Sequence, residues 1–297
     1  MTIELVPGTR QKYHLVAFDK DVSEREDDPD AGTLSQRVLS DLSSQPTTDV
    51  FLMSHGWKGG IPAAREQYNS WIKAMLACRG DISKLRHARL RQNGRRFCPL
   101  LIGIHWPSLP FGDEGLGGAT SFDTDSALTP GHLIDSYAAR ISDTPHAREV
   151  IGTILESAFQ GNMPETLSAD LVAAYNILNG EARLAESGVG AAPGADREPF
   201  DAEQIYQDSR AIAGDAPVSF GAFRFTGLLS PLHQLSFWKM KDRARRLGES
   251  GAYNLLTRIQ LASPNARVHL MGHSFGCIVM SAAVAGAPGI LPNCPVP

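Results

Sequence analysis

A short apolar run that leads straight into a Gly-x-Ser-x-Gly pattern constrains this chain more than any other stretch. Residues 268–271 read VHLM and are followed by GHSFG at 272–276. A serine on a sharp strand-to-helix turn has a strained backbone, and the residues two before and two after it must lack a Cβ. Gly272 and Gly276 meet that requirement around Ser274, and the small apolar residues at 275–284 suit a helix packed closely on a sheet. The pattern predicts a strand, a tight turn that presents Ser274, and a helix.

The size and charge of the chain are those of a globular protein. Its 297 residues are enough for one large α/β domain or two smaller ones, and 42% apolar with 20% charged residues is ordinary for a soluble fold. A net charge of -4 and a pI near 6.1 give no general attraction to nucleic acid or to an anionic membrane. The basic segment at 79–96 is expected to be a solvated face, with an anion or lipid-headgroup patch as the alternative.

The cysteines and the N-terminus bear on location. Four cysteines, at positions 78, 98, 277 and 294, lack metal-ligand spacing and indicate buried or free thiols in a reducing compartment. The first residues contain no apolar signal core, and no run approaches the roughly 18 apolar residues of a membrane span. We therefore expect a cytoplasmic protein without a transmembrane segment.

Apolar patterning predicts strands and helices in alternation through most of the chain. A hairpin is expected at 2–6 and 13–18 around Pro7-Gly8, and three buried strands at 50–54, 100–105 and 267–272. Helical spacing is found at 34–42, from about 62, at 133–159, at 166–186, and at 231–262 with a break marked by Gly248 and Gly251.

The stretch from 107 to 217 leaves this alternation and is expected to be a helical and loop insertion that caps the sheet. The predicted organisation is therefore 1–106 as the N-terminal part of the core, 107–217 as the insertion, and 218–297 as the rest of the core. The insertion contains four acids that match no complete calcium loop, so a solvated loop is expected there: Asp113, Glu114, Asp123 and Asp125. Its apolar helical positions indicate ordinary packing, with a lid over an acyl pocket as the alternative: Leu133, Ile134, Val150, Ile151, Ile154, Leu155 and Phe159.

Three buried strands that each lead into a loop and a helix predict a parallel sheet covered by helices on both faces. Ligands bind such sheets at the carboxyl ends of the strands. That edge would bring together His55-Gly56-Trp57 after one strand, His105-Trp106 at the end of another, and Ser274 after the third.

These residues resemble the α/β-hydrolase superfamily, in particular its lipase-like and serine-esterase-like branches. The resemblance rests on His-Gly-Trp after the third strand and Gly-His-Ser-Phe-Gly after the fifth, and it covers about two-thirds of the chain by element order. It implies that Ser274 attacks a carbonyl and that the N–H groups of Phe275 and Trp57 form the oxyanion hole. His55, Gly56, Gly272, His273, Gly276 and His105 would shape the site, and no metal or cofactor is implied.

The superfamily order of Ser, then Asp or Glu, then His is not met. The 23 residues after Ser274 contain no His, Asp or Glu. We expect the chain to be the N-terminal part of a longer hydrolase or a truncated product, with a partner chain that completes the site as another possibility. His105 is an alternative base, although a pocket-shaping role is expected for it; His273 is expected to point away from the serine side chain and to be structural.

Two functions follow from these residues. The first is a serine hydrolase that cleaves a carboxylic ester, such as a lipid, through an acyl-enzyme on Ser274, and that is nearly inactive as this chain alone. The second is a non-catalytic module of the same fold that binds a ligand or partner through the retained cleft. The intact turn favours the first function, and the missing acid and base favour the second.

Overall fold

The chain forms two compact units, one of residues 1–108 with 243–297 and the other of residues 109–242. The second unit overlaps the predicted insertion. The computed structural model describes residues 3–25, 33–57, 60–108, 130–160, 164–184, 199–213 and 226–290.

The first unit contains a five-stranded, mostly parallel sheet in the order β1-β2-β4-β3-β5. β1 pairs antiparallel with β2, and every other pair is parallel. The predicted hairpin, the three strands and their parallel pairing are thereby confirmed, but β5 is only partly buried, because in the described residues it lies at an edge of the sheet. The strands are β1 Ile3–Leu5, β2 Lys12–Ala17, β3 Asp49–Ser54, β4 Pro99–His105 and β5 Arg267–Gly272.

Helices lie on both faces of this sheet because the strand side chains alternate between the faces. On one face, helix α2 (Ile61–Ala77) buries Tyr68 and Ile72 against Met53 and Leu101. The fit is close at Gly103, where an added Cβ would lie 2.6 Å from the Tyr68 ring. The opposite face is covered by α1 (Leu34–Ser44), α9 (Tyr253–Ala262) and α10 (Phe275–Ala285).

The helix predicted over 231–262 is a longer, continuous structure. Helix α8 (Thr226–Leu247) passes through a π-helical turn at Gly248–Ala252 into α9. The two glycines that predicted a break are instead points of close packing. A Cβ on Gly248 would meet Ala282 of α10, and one on Gly251 would lie 2.7 Å from the Phe18 ring.

The second unit is helical in its described parts. Its helices are α4 (Pro130–Arg140), α5 (Pro145–Phe159), α6 (Ala169–Glu181), α7 (Ala202–Ala213) and the first part of α8. Of the seven apolar positions considered for a lid, five lie in the buried core of this unit, Ile134 packs against that core, and Phe159 is 40% exposed. Ordinary helix packing accounts for six of these positions.

Some predictions fall on residues outside the described part of the chain. These are the four acids at 113, 114, 123 and 125, and Cys294. Over the residues that are described, none of the helices is both long enough and apolar enough to cross a membrane.

A buried ion pair fixes helix α3 (Arg79–Asn93) to the sheet. Arg89 contacts Asp49, at the start of β3, at 3.1 Å through Nε and at 2.5 Å through Nη2, and both side chains are buried. His269 and Thr48 also bond the Asp49 carboxylate, at 2.9 and 2.8 Å. Burial alone would raise the pKa of Asp49, but the hydrogen bonds from Arg89, His269 and Thr48 outweigh it and hold the pKa below its ordinary value.

We predict that Arg89→Met lowers the free energy of unfolding by about 3–5 kcal/mol, because it leaves a buried carboxylate without its guanidinium. Urea unfolding measures this loss. The matched control is Lys84→Met on the same helix, since Lys84 pairs with Asp81 in full exposure and its loss is expected to change stability little. Equal stability of the two variants would contradict the prediction.

Candidate active site at the carboxyl ends of the strands

Three strands of the sheet end side by side. Ser54, the last residue of β3, pairs with Ile104 of β4 on one side and with Gly272 of β5 on the other. The loops that follow these strands therefore emerge at one edge. They carry His55-Gly56-Trp57, His105 to Ser108, and His273-Ser274, so this edge holds the predicted site residues.

Ser274 has the strained backbone that the sequence predicts. Its φ of 51° and ψ of -125° are rare for a residue with a side chain, and it is the N-cap of helix α10. Hydrogen bonds hold the turn on both sides, from the Gly276 N–H to the His273 carbonyl at 2.8 Å and from the Cys277 N–H to the Ser274 carbonyl at 2.9 Å. Ser274 is exposed. The turn therefore presents a serine hydroxyl above the edge of the sheet.

Three glycines allow this turn to form. A Cβ on Gly272 would lie 2.6 Å from the Cys277 nitrogen, and a Cβ on Gly276 would lie 2.6 Å from the His55 carbonyl oxygen. A Cβ on Gly56 would lie 3.0 Å from the Ser274 Cβ and 2.7 Å from Nδ1 of His273. Each distance is below normal van der Waals contact. The loop after β3 thus lies directly against the serine turn.

The two predicted oxyanion-hole residues are brought together. The rings of Trp57 and Phe275 stack with centroids 5.5 Å apart and 20° between their planes. Phe275 is the first residue of α10, so its N–H belongs to the first helical turn, where the helix dipole is positive. Both residues flank the point where Gly56 meets Ser274.

His55 is locked in place by bonds at all four of its polar groups. Its N–H donates to the Tyr68 hydroxyl at 2.8 Å, and its carbonyl accepts from Nε1 of Trp106 at 3.4 Å. Nε2 accepts the Trp106 backbone N–H at 3.3 Å, so Nδ1 carries the ring proton and donates to the Gly56 carbonyl at 2.8 Å. The ring is buried. These bonds tie the His55 ring to Gly56 of its own loop and to Trp106 after β4.

His105 is bonded to His55 and not to the serine. Its Nδ1 lies 3.1 Å from Nε2 of His55, and because that nitrogen accepts, His105 is the donor. Burial, and then the neighbouring His55, lower the pKa of His105 to about 3, while burial lowers the pKa of His55 to about 4. A base with so low a pKa accepts a proton poorly at neutral pH. His105 is accordingly a poor candidate for the base.

The serine lacks a base among the described residues. No hydrogen bond joins a described His, Asp or Glu side chain to Ser274, whose hydroxyl also makes no capping bond to α10. His273 is exposed beside the Gly56 loop. Over the same residues, no group of three or more His, Cys, Asp or Glu side chains is placed to hold a metal ion.

Sequence reasoning missed two residues of this edge. Tyr68 lies on the buried face of α2, and its hydroxyl accepts the His55 N–H and donates to the Ile104 carbonyl. Ser108 is buried and its hydroxyl donates to the Gly56 carbonyl at 3.0 Å. Both residues are distant in sequence from the groups they bond, so no local pattern indicates them.

Comparisons with protein-family models, with curated proteins and with solved structures found no match to this chain. The functional argument therefore rests on the geometry of this edge.

We predict that the buried histidines make the fold less stable in acid. His55 and His105 stay neutral in the folded chain, whereas the unfolded chain takes up protons on them as the pH falls through about 6.5. The free energy of unfolding should therefore fall between about pH 6.5 and pH 4, by up to about 1.4 kcal/mol per pH unit for each histidine.

Urea unfolding at pH 7, 6 and 5 tests this expectation. In His105→Asn, which retains a donor near the position of Nδ1 but cannot titrate in this range, the decline should be shallower than in the wild type. The control is His87→Gln on the exposed surface of α3, which measures how loss of a solvent-exposed imidazole changes the same decline. If the free energy of unfolding fell as steeply with pH in His105→Asn as in the wild type, His105 would not be a cause of the decline.

Proposed function

We propose that this chain carries the nucleophile of an α/β-hydrolase-like serine hydrolase, lipase- or esterase-like, which cleaves carboxylic esters through an acyl-enzyme on Ser274. The observation that carries the proposal is the backbone of Ser274, an exposed serine with φ of 51° between a strand and a helix. Such a conformation costs about 1–3 kcal/mol and persists where the surroundings impose it, most often at functional sites. A serine without a special role would not require it.

The order of the elements supports the same proposal. Among the described strands, the serine follows the fifth, β5, and the His-Gly-Trp loop follows the third, β3. These two strands are neighbours in the sheet, and each is followed by a helix. In α/β-hydrolases the nucleophile and the second oxyanion-hole donor occupy corresponding positions.

The proposed reaction is acyl transfer to the serine. The Oγ of Ser274 attacks the ester carbonyl carbon and gives its proton to a base, and the carbonyl oxygen becomes an oxyanion. The N–H groups of Trp57 and Phe275 would bond that oxyanion, and each such donor is worth about 3 kcal/mol. The carbon–oxygen bond to the alcohol then breaks, the alcohol leaves with a proton, and water hydrolyses the acyl-serine.

The base is the part that the described residues do not provide. His55 and His105 are buried, bonded to each other and low in pKa. We therefore propose that the base comes from outside the described residues, either in the same polypeptide or in a partner chain. The substrate is proposed to be a small-molecule ester or lipid. A cytoplasmic setting is proposed on the cysteine pattern, and Cys78, Cys98 and Cys277 are free thiols.

A non-catalytic binding module is the second candidate. It is favoured by one observation, that among the described residues no acid or base side chain bonds the Ser274 hydroxyl. Without a base a serine hydroxyl is a weak nucleophile. The two candidates differ in whether Ser274 reacts.

We predict that a fluorophosphonate probe labels Ser274. In this reaction an oxygen–phosphorus bond forms, fluoride leaves, and the serine proton passes to a base. Labelling should be lost in Ser274→Ala and retained in Ser281→Ala, which removes an exposed serine from the same helix. Intact-mass spectrometry over time gives the rate.

Added imidazole distinguishes a missing base from a resident one. Because no base contacts the serine in the described residues, imidazole is expected to accelerate labelling of this chain severalfold, and to have little effect where a base is already in place. If neither this chain nor a longer or partnered form reacts at Ser274, with or without imidazole, the binding module replaces the hydrolase.

We further predict that Gly56→Ala lowers the labelling rate of Ser274 by at least tenfold, because its Cβ would press on the Ser274 Cβ and the His273 ring. The control is Gly60→Ala in the same loop, where the nearest atom to a new Cβ is Pro62 Cδ at an ordinary 3.7 Å. Circular dichroism checks that both variants fold. Equal rates in both variants would refute the close approach of loop and serine.

A further inference from the structure

The Gly56 carbonyl accepts hydrogen bonds from two buried side chains. Nδ1 of His55 donates at 2.8 Å and the Ser108 hydroxyl at 3.0 Å. Both donors are at most 1% exposed, and they lie 3.4 Å from each other. One donor already satisfies a buried carbonyl. The second donor restricts the direction in which that carbonyl points.

The direction of the Gly56 carbonyl determines the direction of the Trp57 N–H. A trans peptide is planar, so its C=O and N–H groups point in opposite directions. A carbonyl held toward His55 and Ser108 therefore turns the Trp57 N–H away from that buried pair. If the carbonyl rotated out of their reach, the N–H would rotate with it.

The donors themselves are held by the strand next to β3. His105 at the end of β4 donates to Nε2 of His55 at 3.1 Å, and this fixes the proton of His55 on Nδ1, which faces Gly56. Ser108 follows three residues later, and its N–H bonds the Trp106 carbonyl at 2.8 Å. The segment after β4 thus controls the peptide that follows β3.

We propose that Ser108 and His105 are positioning residues for the oxyanion hole, acting through the Gly56–Trp57 peptide. Ser108 holds the Gly56 carbonyl directly, and His105 holds it through the tautomer of His55. The inference rests on the proposed hydrolase function, since it assigns a direction to the N–H that would bond the oxyanion. Neither residue touches the substrate in this role.

Ser108 could instead serve only to satisfy a buried carbonyl, and Ser54 provides the comparison that separates the two roles. The Ser54 hydroxyl is also buried, and it donates to the carbonyl of His55, the residue before Gly56, at 3.3 Å. That carbonyl belongs to the peptide whose N–H is on Gly56, which is not an oxyanion donor. Ser54→Ala and Ser108→Ala thus remove the same group from adjacent peptides.

The first measurement follows the peptide itself and does not depend on activity. The chain has four tryptophans, so a sample labelled with ¹⁵N-tryptophan gives four backbone amide signals, and Trp57→Phe assigns the one of interest. Ser108→Ala should shift or broaden the Trp57 amide, and Ser54→Ala should leave it in place. Ser108→Cys, which keeps a weaker donor, should lie between the wild type and Ser108→Ala.

The second measurement is the rate of fluorophosphonate labelling at Ser274 in added imidazole. Loss of an oxyanion donor slows acyl transfer by about 100- to 1000-fold, so partial loss of its orientation should slow labelling by about tenfold in Ser108→Ala. Ser54→Ala should react at close to the wild-type rate. Thermal unfolding of both variants shows whether either change reflects loss of the fold.

The outcomes separate this inference from the function on which it rests. If wild type labels but Ser108→Ala matches Ser54→Ala in rate and in the Trp57 amide signal, the positioning role is overturned and the hydrolase stands. If Ser274 labels neither in this chain nor in a longer or partnered form, even with imidazole, the proposed function is overturned, and the oxyanion role of Ser108 falls with it.

Discussion

Close backbone contact between the loop after β3 and the turn after β5 is the constraint on which the candidate site depends. Gly56 and Gly276 leave no room for a Cβ where the two segments meet, and Gly272 leaves none inside the turn. Because β3 and β5 pair in parallel, the two segments leave the sheet at the same edge. The strained serine, the stacked Trp57 and Phe275 rings, and the path of α10 all follow from this contact.

The polar groups behind the loop explain how so irregular a backbone is kept in one conformation. His55 uses its N–H, its carbonyl and both ring nitrogens, and the partners come from α2, from the end of β4 and the residue after it, and from Gly56 of the same loop. Because these groups are buried, each donor or acceptor left without a hydrogen bond would carry a desolvation cost. Burial also keeps both imidazoles neutral. Both ring nitrogens of His55 and Nδ1 of His105 are thereby occupied by structural hydrogen bonds.

The local sequence pattern was sufficient to predict the strands of the sheet and the serine turn. Short apolar runs predicted the buried strands, and the Gly-x-Ser-x-Gly spacing predicted the backbone of Ser274, because both depend on neighbouring residues. The bonds to Tyr68 and Ser108 were not predictable, since they join positions 13 and 52 residues apart. The local pattern predicted a break at the π-helical turn, because it does not show that Gly251 packs on Phe18 and Gly248 on Ala282.

The position of β5 in the strand order has a consequence for how the sheet can be extended. β5 pairs with β3 on one side, and no described strand pairs with its other side. Among the described residues, alternate N–H and C=O groups of this strand therefore have no strand partner on that side, and Val268, Leu270 and Met271 are apolar. An edge of this kind is a template for strand addition. Within the described residues, the strand that supports the serine is thus an edge to which a further strand, from the same chain or from another, can add.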